Sequence, residues 1–290
     1  MIEGGKQTRI LPGLAQLARA FYCLRMSTEQ NQWFDASVAQ LNDPQNLRVW
    51  SIIVSLFGDL AQKEGAQISG GALTRIITPM GIKPEAIRVA LHRLRKDGWI
   101  ESARSGRASV HYLTEFGRNQ SAAVTPRIYE RTSLAPTDWH LLISEEGAGQ
   151  AALDNVLLLP NYVAVNKHTA LGHGKIPTNP EDLLAIEVST ISVPGWLKDR
   201  LFPDELQKAC MTLDRALGCI TPPPEHLQAE QIATLRTLIV HHWRRIVLRH
   251  PGLPPQFHPD SWCGERCRAR VFALLDALPC PDYSDLNAAL

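Results

Sequence analysis

With 290 residues the chain exceeds a usual single core, so two or three domains are expected. Its 30 Lys+Arg against 29 Asp+Glu leave a net charge of +1, so any role on a polyanion has to rest on a local concentration of charge. Apolar runs such as Leu157-Leu158-Leu159 and Ile52-Ile53-Val54 are far too short to cross a bilayer, and no charged n-region with an apolar h-region opens the chain; a cytoplasmic protein is expected. Cys23, Cys210, Cys219, Cys263, Cys267 and Cys280 show no disulfide framework and read as reduced thiols.

Residues 1–45 form an N-terminal extension with an amphipathic stretch, Leu14, Leu17, Ala18, Phe21 and Leu24, followed by Trp33-Phe34 and Val38. Packing against the body or a dimer mate is its expected role. Residues 47–58 predict a strongly apolar helix and residues 69–78 a shorter second one. Pro79-Met80-Gly81 supplies a tight turn. The helix that follows places Ile87, Ala90, Leu91 and Leu94 on one face and Glu85, Arg88, His92, Arg95 and Lys96 on the other, a stripe suited to a groove or to phosphates. It ends at Asp97-Gly98. Residues 99–114 read as two short strands around Ser105-Gly106, with Arg104 and Arg107 flanking the tip.

Helix, helix, turn, reader and hairpin is the order of a winged helix-turn-helix. Residues 46–120 hold 11 Lys+Arg against 6 Asp+Glu, a local charge of +5, so the positive charge gathers on this candidate DNA-binding domain. A linker helix over 115–130 should join it to the body in spite of Pro126. Residues 139–144, 162–166 and 183–188 predict strands and 148–157 a short helix, a small central α+β domain over 136–194. Residues 195–290 form a helical C-terminal domain broken at Thr221-Pro222-Pro223-Pro224 and near Pro254-Pro255.

Other chemistry is thinly represented. Cys263 and Cys267 share a helical face with His258 nearby, so a zinc site is conceivable beside the plainer reading of buried thiols. Leu171-Gly172-His173-Gly174-Lys175 matches no phosphate-cradling pattern and reads as a flexible loop. Without a nucleophile elbow, paired metal ligands or a dinucleotide fingerprint, neither an enzyme nor a bound cofactor or metal is expected.

The run from Gly81 to Val110 resembles the winged-helix domain of the GntR group of bacterial repressors. The fuller pattern resembles the PaaX family, repressors of phenylacetic acid degradation: Val54-Ser55-Leu56-Phe57-Gly58-Asp59, Arg93-Leu94, Asp97-Gly98-Trp99-Ile100, Gly106-Arg107 and Leu113-Thr114-Glu115-Phe116-Gly117-Arg118. Ile239-Val240-His241-His242-Trp243-Arg244-Arg245 and Trp262-Cys263-Gly264 extend the likeness toward the C-terminus. The resemblance implies a mostly helical α+β protein with a winged helix-turn-helix, a ferredoxin-like central domain and a helical closing domain.

It also implies a ligand-responsive repressor that binds a palindromic operator as a homodimer and is released by an aryl-CoA thioester or the free aromatic acid. An architectural DNA-binding protein and an enzyme with an appended winged domain are the other classes. By the GntR likeness, Lys83 and Arg88 touch phosphate or guanine and Ser105-Gly106 reaches the minor groove. Arg88 is the expected base reader, while Lys83, Arg95, Lys96, Arg104 and Arg107 suit phosphates. Glu85 either accepts from a cytosine amino group or orients Arg88. For the effector, Trp139, Tyr162 and Trp243 are candidates to stack on a ring, and Lys167, Arg244 and Arg245 to neutralise phosphates or a carboxylate.

Overall fold

The computed structural model describes residues 28–43, 47–106, 108–132, 136, 138–146, 149–159, 161–177, 182–250 and 252–287. Arg107 and the amphipathic stretch at 14–24 lie outside them. The chain is mostly helical with two small antiparallel sheets. Helix α1 (residues 28–41) buries Phe34, Val38 and Leu41. Its indole Trp33 Nε1 donates to the Thr221 carbonyl at 3.1 Å, so the described part of the N-terminal extension packs on the body, one of the two roles expected for it.

Next come α2 (Val49–Leu60), β1 (Ile68–Ser69), α3 (Gly70–Ile77) and α4 (Pro84–Lys96). Ser69 caps α3 by accepting from Ala72 N at 3.1 Å. The 3-10 turn Thr78–Met80 closes on Gly81, whose φ of +79° is strained for a residue with a Cβ. Pro84 then opens α4 at a position where no N–H is needed. Ile87, Ala90, Leu91 and Leu94 are all buried, as the periodicity predicts, each large side chain contributing about 1.5–3 kcal/mol. Strands β2 (Ile100–Ser105) and β3 (Ala108–Leu113) form the expected hairpin in register Ile100↔Leu113 to Ser105↔Ala108. The two-residue β1, absent from the sequence reading, joins β3 to give the order β1-β3-β2.

Thr114 caps α5 (Glu115–Ile128) by accepting from Gly117 N at 2.9 Å, and Pro126 is accommodated within the helix. The central sheet comprises β4 (Trp139–Ser144), β5 (Tyr162–Asn166), β6 (Thr169–His173) and β7 (Leu183–Val188) in the order β5-β6-β4-β7, with α6 (Gln150–Val156) between β4 and β5. That strand order is the split βαβ of ferredoxin-like sheets. It departs from it in the β6–β7 connection, which carries no helix among the described residues. The segment read as a glycine-bearing loop contributes an interior strand, β6. Gly172 is small there because Tyr162 lies across it: a Cβ would come within 2.2 Å of the Tyr162 ring.

Helices α7 (Gly195–Leu201), α8 (Asp204–Cys219), α9 (Ala229–Val247), α10 (Gly264–Ala277) and α11 (Tyr283–Asn287) complete the chain. Buried almost throughout, α9 packs on α2, α3, α5, α8 and α10. The boundary drawn between 46–120 and 195–290 therefore separates residues in sequence whose side chains share one continuous hydrophobic core. A smaller cluster, Leu142, Leu153, Val156, Tyr162, Ala170 and Leu183, lies between the central sheet and α6.

Candidate nucleic-acid interface

The outward side of α4 carries Lys83, Glu85, Arg88, His92, Arg93, Arg95 and Lys96, all exposed, beside the exposed hairpin tip with Arg104, Ser105 and Gly106. The buried stripe fixes this orientation, because rotating α4 by one residue would bring charges into the core. Gly106 sits at φ +60°, so the tip turns where only a glycine is unstrained. The cations are not equivalent. Arg93 pairs with Asp97 at 3.5 Å and lies over the Trp50 ring at 5.6 Å, which ties it to the scaffold. Arg88 reaches Glu85 at only 3.8 Å, both side chains about three-quarters exposed, a contact worth little. Lys83, Arg95, Lys96 and Arg104 have no ion pair among the described residues.

The field of Arg95 extends into the hairpin. His111, hydrogen-bonded to Ser102 Oγ at 2.7 Å, is held below the usual histidine range by burial and by the Arg95 charge. One residue of this surface escaped the sequence reading: Val89, 70% exposed beside Arg88. It is the single valine of α4 and falls off the buried stripe, which was a legible signal. An exposed methyl-bearing side chain among donors is suited to a thymine methyl group.

The PaaX-like protein family matches residues 48–117, from just before α2 to the start of α5, and the PaaX-like protein C-terminal domain matches residues 212–278, from within α8 to the end of α10. The transcriptional repressor PaaX of Escherichia coli (strain K12) is 25% identical over 241 residues, covering 75% of this chain and 76% of the relative. Both matches and the relative support placing the chain with the PaaX-like family. Among solved structures, the uncharacterized protein Rv0674 from Mycobacterium tuberculosis is 17% identical with a TM-score of 0.46, covering 82% of this chain and 97% of that one. The two PaaX-like matches enclose α4 and the hairpin on one side and the second half of α8 with all of α9 and α10 on the other, the two parts that share the core.

The effector candidates of this PaaX-like chain are dispersed. Trp139 is buried against Phe257 and His173 and donates to the Pro136 carbonyl at 3.0 Å. Tyr162 is buried and joined to His140 Nε2 at 2.6 Å. Trp243 is buried, donates to the Ile128 carbonyl at 2.8 Å and lies under Arg268. All three thus have structural partners of their own. Lys167 is exposed at the β5–β6 turn. Arg244 and Arg245 line two different clefts on either side of α9.

The cysteine pair likewise takes a core position. Cys263 donates to Cys210 Sγ at 3.5 Å, and burial pushes its thiol up to about 12. His258 Nε2 meets the Leu253 carbonyl at 2.9 Å. Among the described residues no group of three His, Cys, Asp or Glu is arranged to hold a metal ion.

Proposed function

We propose that this chain is a ligand-responsive transcriptional repressor of aromatic-compound catabolism, a regulator rather than an enzyme. In this reading residues 46–120 act as a winged helix-turn-helix, α4 enters the major groove, the β2–β3 tip follows the adjacent minor groove, and a homodimer spans a palindromic operator. The observation that carries it is the exposed face of α4 and the hairpin, where Lys83, Arg95, Lys96 and Arg104 stand without acidic partners among the described residues around the base-reading candidate Arg88. The relative in Escherichia coli bears the name of a transcriptional repressor, which supports the same role. The effector is an aryl-CoA thioester or the free aromatic acid, and α5 is the connection through which the body acts on the reader.

Selection from random duplexes followed by salt titration tests this. A palindromic sequence should emerge, and log K should fall linearly with log salt, with a slope of about −0.9 for each phosphate neutralised. Equal affinity for selected and random duplexes at physiological salt would contradict the repressor reading.

A further inference from the structure

A cleft of about 150 Å³ lies where α2, α5 and α9 meet, with Trp99 beside it. Its apolar wall is Val54, Val124, Ile128, Val240 and Leu248. Two polar groups on this wall lack the partners that burial ordinarily demands. Ser121 Oγ is buried without a hydrogen bond among the described residues. Arg244 is half-buried and donates from Nη1 to Ser55 Oγ at 3.1 Å, and no carboxylate pairs with it among the described residues. Desolvation holds its guanidinium below the usual arginine range, as befits a charge withdrawn from water without a counter-ion. Ser55 offers no anion, since its hydroxyl donates to the Ser51 carbonyl at 2.9 Å.

We propose that this cleft receives the aryl-acyl part of the effector, a benzene-sized apolar ring whose acyl oxygen is met by Arg244 and by the Ser121 hydroxyl. The volume fits: an apolar protein cavity of about this size accepts benzene, whereas a whole coenzyme A does not enter it. The acyl group has two sources, a free arylacetate or the acyl end of a thioester whose remainder stays outside. An arylacetate supplies the negative charge that Arg244 lacks; a thioester supplies only a carbonyl acceptor. The placement also suits a regulator. The same walls belong to α2, which packs on the reader helix α4, and to α5, which follows the hairpin directly. That the ligand alters DNA affinity rests on the repressor reading; that it binds here does not.

Isothermal titration of the full chain with phenylacetate, phenylacetyl-CoA and the neutral 2-phenylethanol tests the site. Val124→Phe fills part of the cleft from its wall, and Arg244→Met removes the charge while keeping most of the side-chain volume. At least one of phenylacetate and phenylacetyl-CoA should bind saturably. Val124→Phe should weaken that ligand at least tenfold, and Arg244→Met should weaken it likewise, most for phenylacetate. Unchanged affinity in Val124→Phe, or no binding of either compound at millimolar concentration, would overturn the proposal, and Val124→Phe decides alone if Arg244→Met does not fold. Affinity for the selected duplex without ligand is measured in parallel. Loss of DNA specificity there counts against the repressor reading, and the titrations still decide the cleft.

Discussion

The Asp59 carboxylate at the end of α2 is gripped by the Arg236 guanidinium of α9 through two hydrogen bonds of 2.8 Å, from Nε and Nη2. Tyr129 donates to the same carboxylate at 2.5 Å, and Arg236 Nη1 donates to the carbonyls of Leu275 and Leu278. One buried ion pair thus fastens the end of α2, the end of α5 and the C-terminal helices together.

Such a pair is unforgiving when halved. Removing one partner leaves the other charge buried and alone, at a cost of about 3–5 kcal/mol. Arg236→Met and Asp59→Ala should each lower the unfolding free energy from urea titration by that order. A joint replacement by apolar residues should cost less than the sum of the two. Additive losses in that double-mutant cycle would show that the two side chains stabilise the fold independently.

Under the proposed function the exposed face of α4 makes separable demands on DNA. Arg88→Ala should cost about 1–3 kcal/mol at its target base and relax specificity there, while Lys96→Ala should weaken all sequences alike. Val89→Ser, at a 70% exposed position, should leave stability within about 0.5 kcal/mol and reduce discrimination between thymine and uracil at one operator position. Competition titrations with base-substituted duplexes read all three. Equal loss on operator and random DNA would deny Arg88 its base-reading role.

Gly172→Ala probes the central sheet. Its new methyl would meet the Tyr162 ring at 2.2 Å, and Tyr162 is itself held by His140. Overpacking of this kind costs about 1–3 kcal/mol. The same substitution in a Tyr162→Ala background should be nearly neutral. If its thermal shift is as large there, the contact is not what restricts the position.

Acid should weaken the fold through its buried histidines. Burial, then neighbouring charges, pushes His241 and His250 down to about 3, and His250 Nδ1 accepts the Gly252 N–H at 2.9 Å, which requires the neutral ring. The unfolded chain takes up the protons that the folded chain refuses. The stability each neutral histidine provides is therefore complete above about pH 6.5 and is lost as pH falls toward 3, by up to about 1.4 kcal/mol per pH unit for each. Urea midpoints at pH 7, 6 and 5 should show this slope, shallower in His250→Gln. An identical slope in that variant would rule out His250 as a source.

Legibility followed the range of the interactions. α4 and its hairpin were readable because a 3.6-residue stripe, Gly81 and the Ser105-Gly106 turn are all local signals. β1 was not, since two residues carry no periodicity and exist as a strand only through β3. β6 was mistaken for a loop because the residue that marks it, Gly172, answers to a ring ten positions earlier. The Asp59–Arg236 pair spans 177 positions, and the shared core makes the C-terminal helices part of the reader's support. Neither has a local signature. Arg244 was singled out as a cation, but its lack of a counter-ion and the Ser121 hydroxyl opposite it emerge only when α2, α5 and α9 come together.

Ser69 N–H donates to Asn287 Oδ1 at 2.9 Å, and Asn287 Nδ2 returns a bond to the Gln67 carbonyl. These bonds set a timetable on the ribosome. The 218 positions between Ser69 and Asn287 take on the order of ten to forty seconds to synthesise. Throughout that interval β1 lacks its latch, and until α9 emerges the part of α2 that packs on it stays uncovered. A nascent chain that already displays the whole of α4 is therefore still an unfinished fold, with part of its core uncovered. Under the proposed function, occupancy of an operator begins with released protein, so the response time includes the synthesis of every residue up to α11.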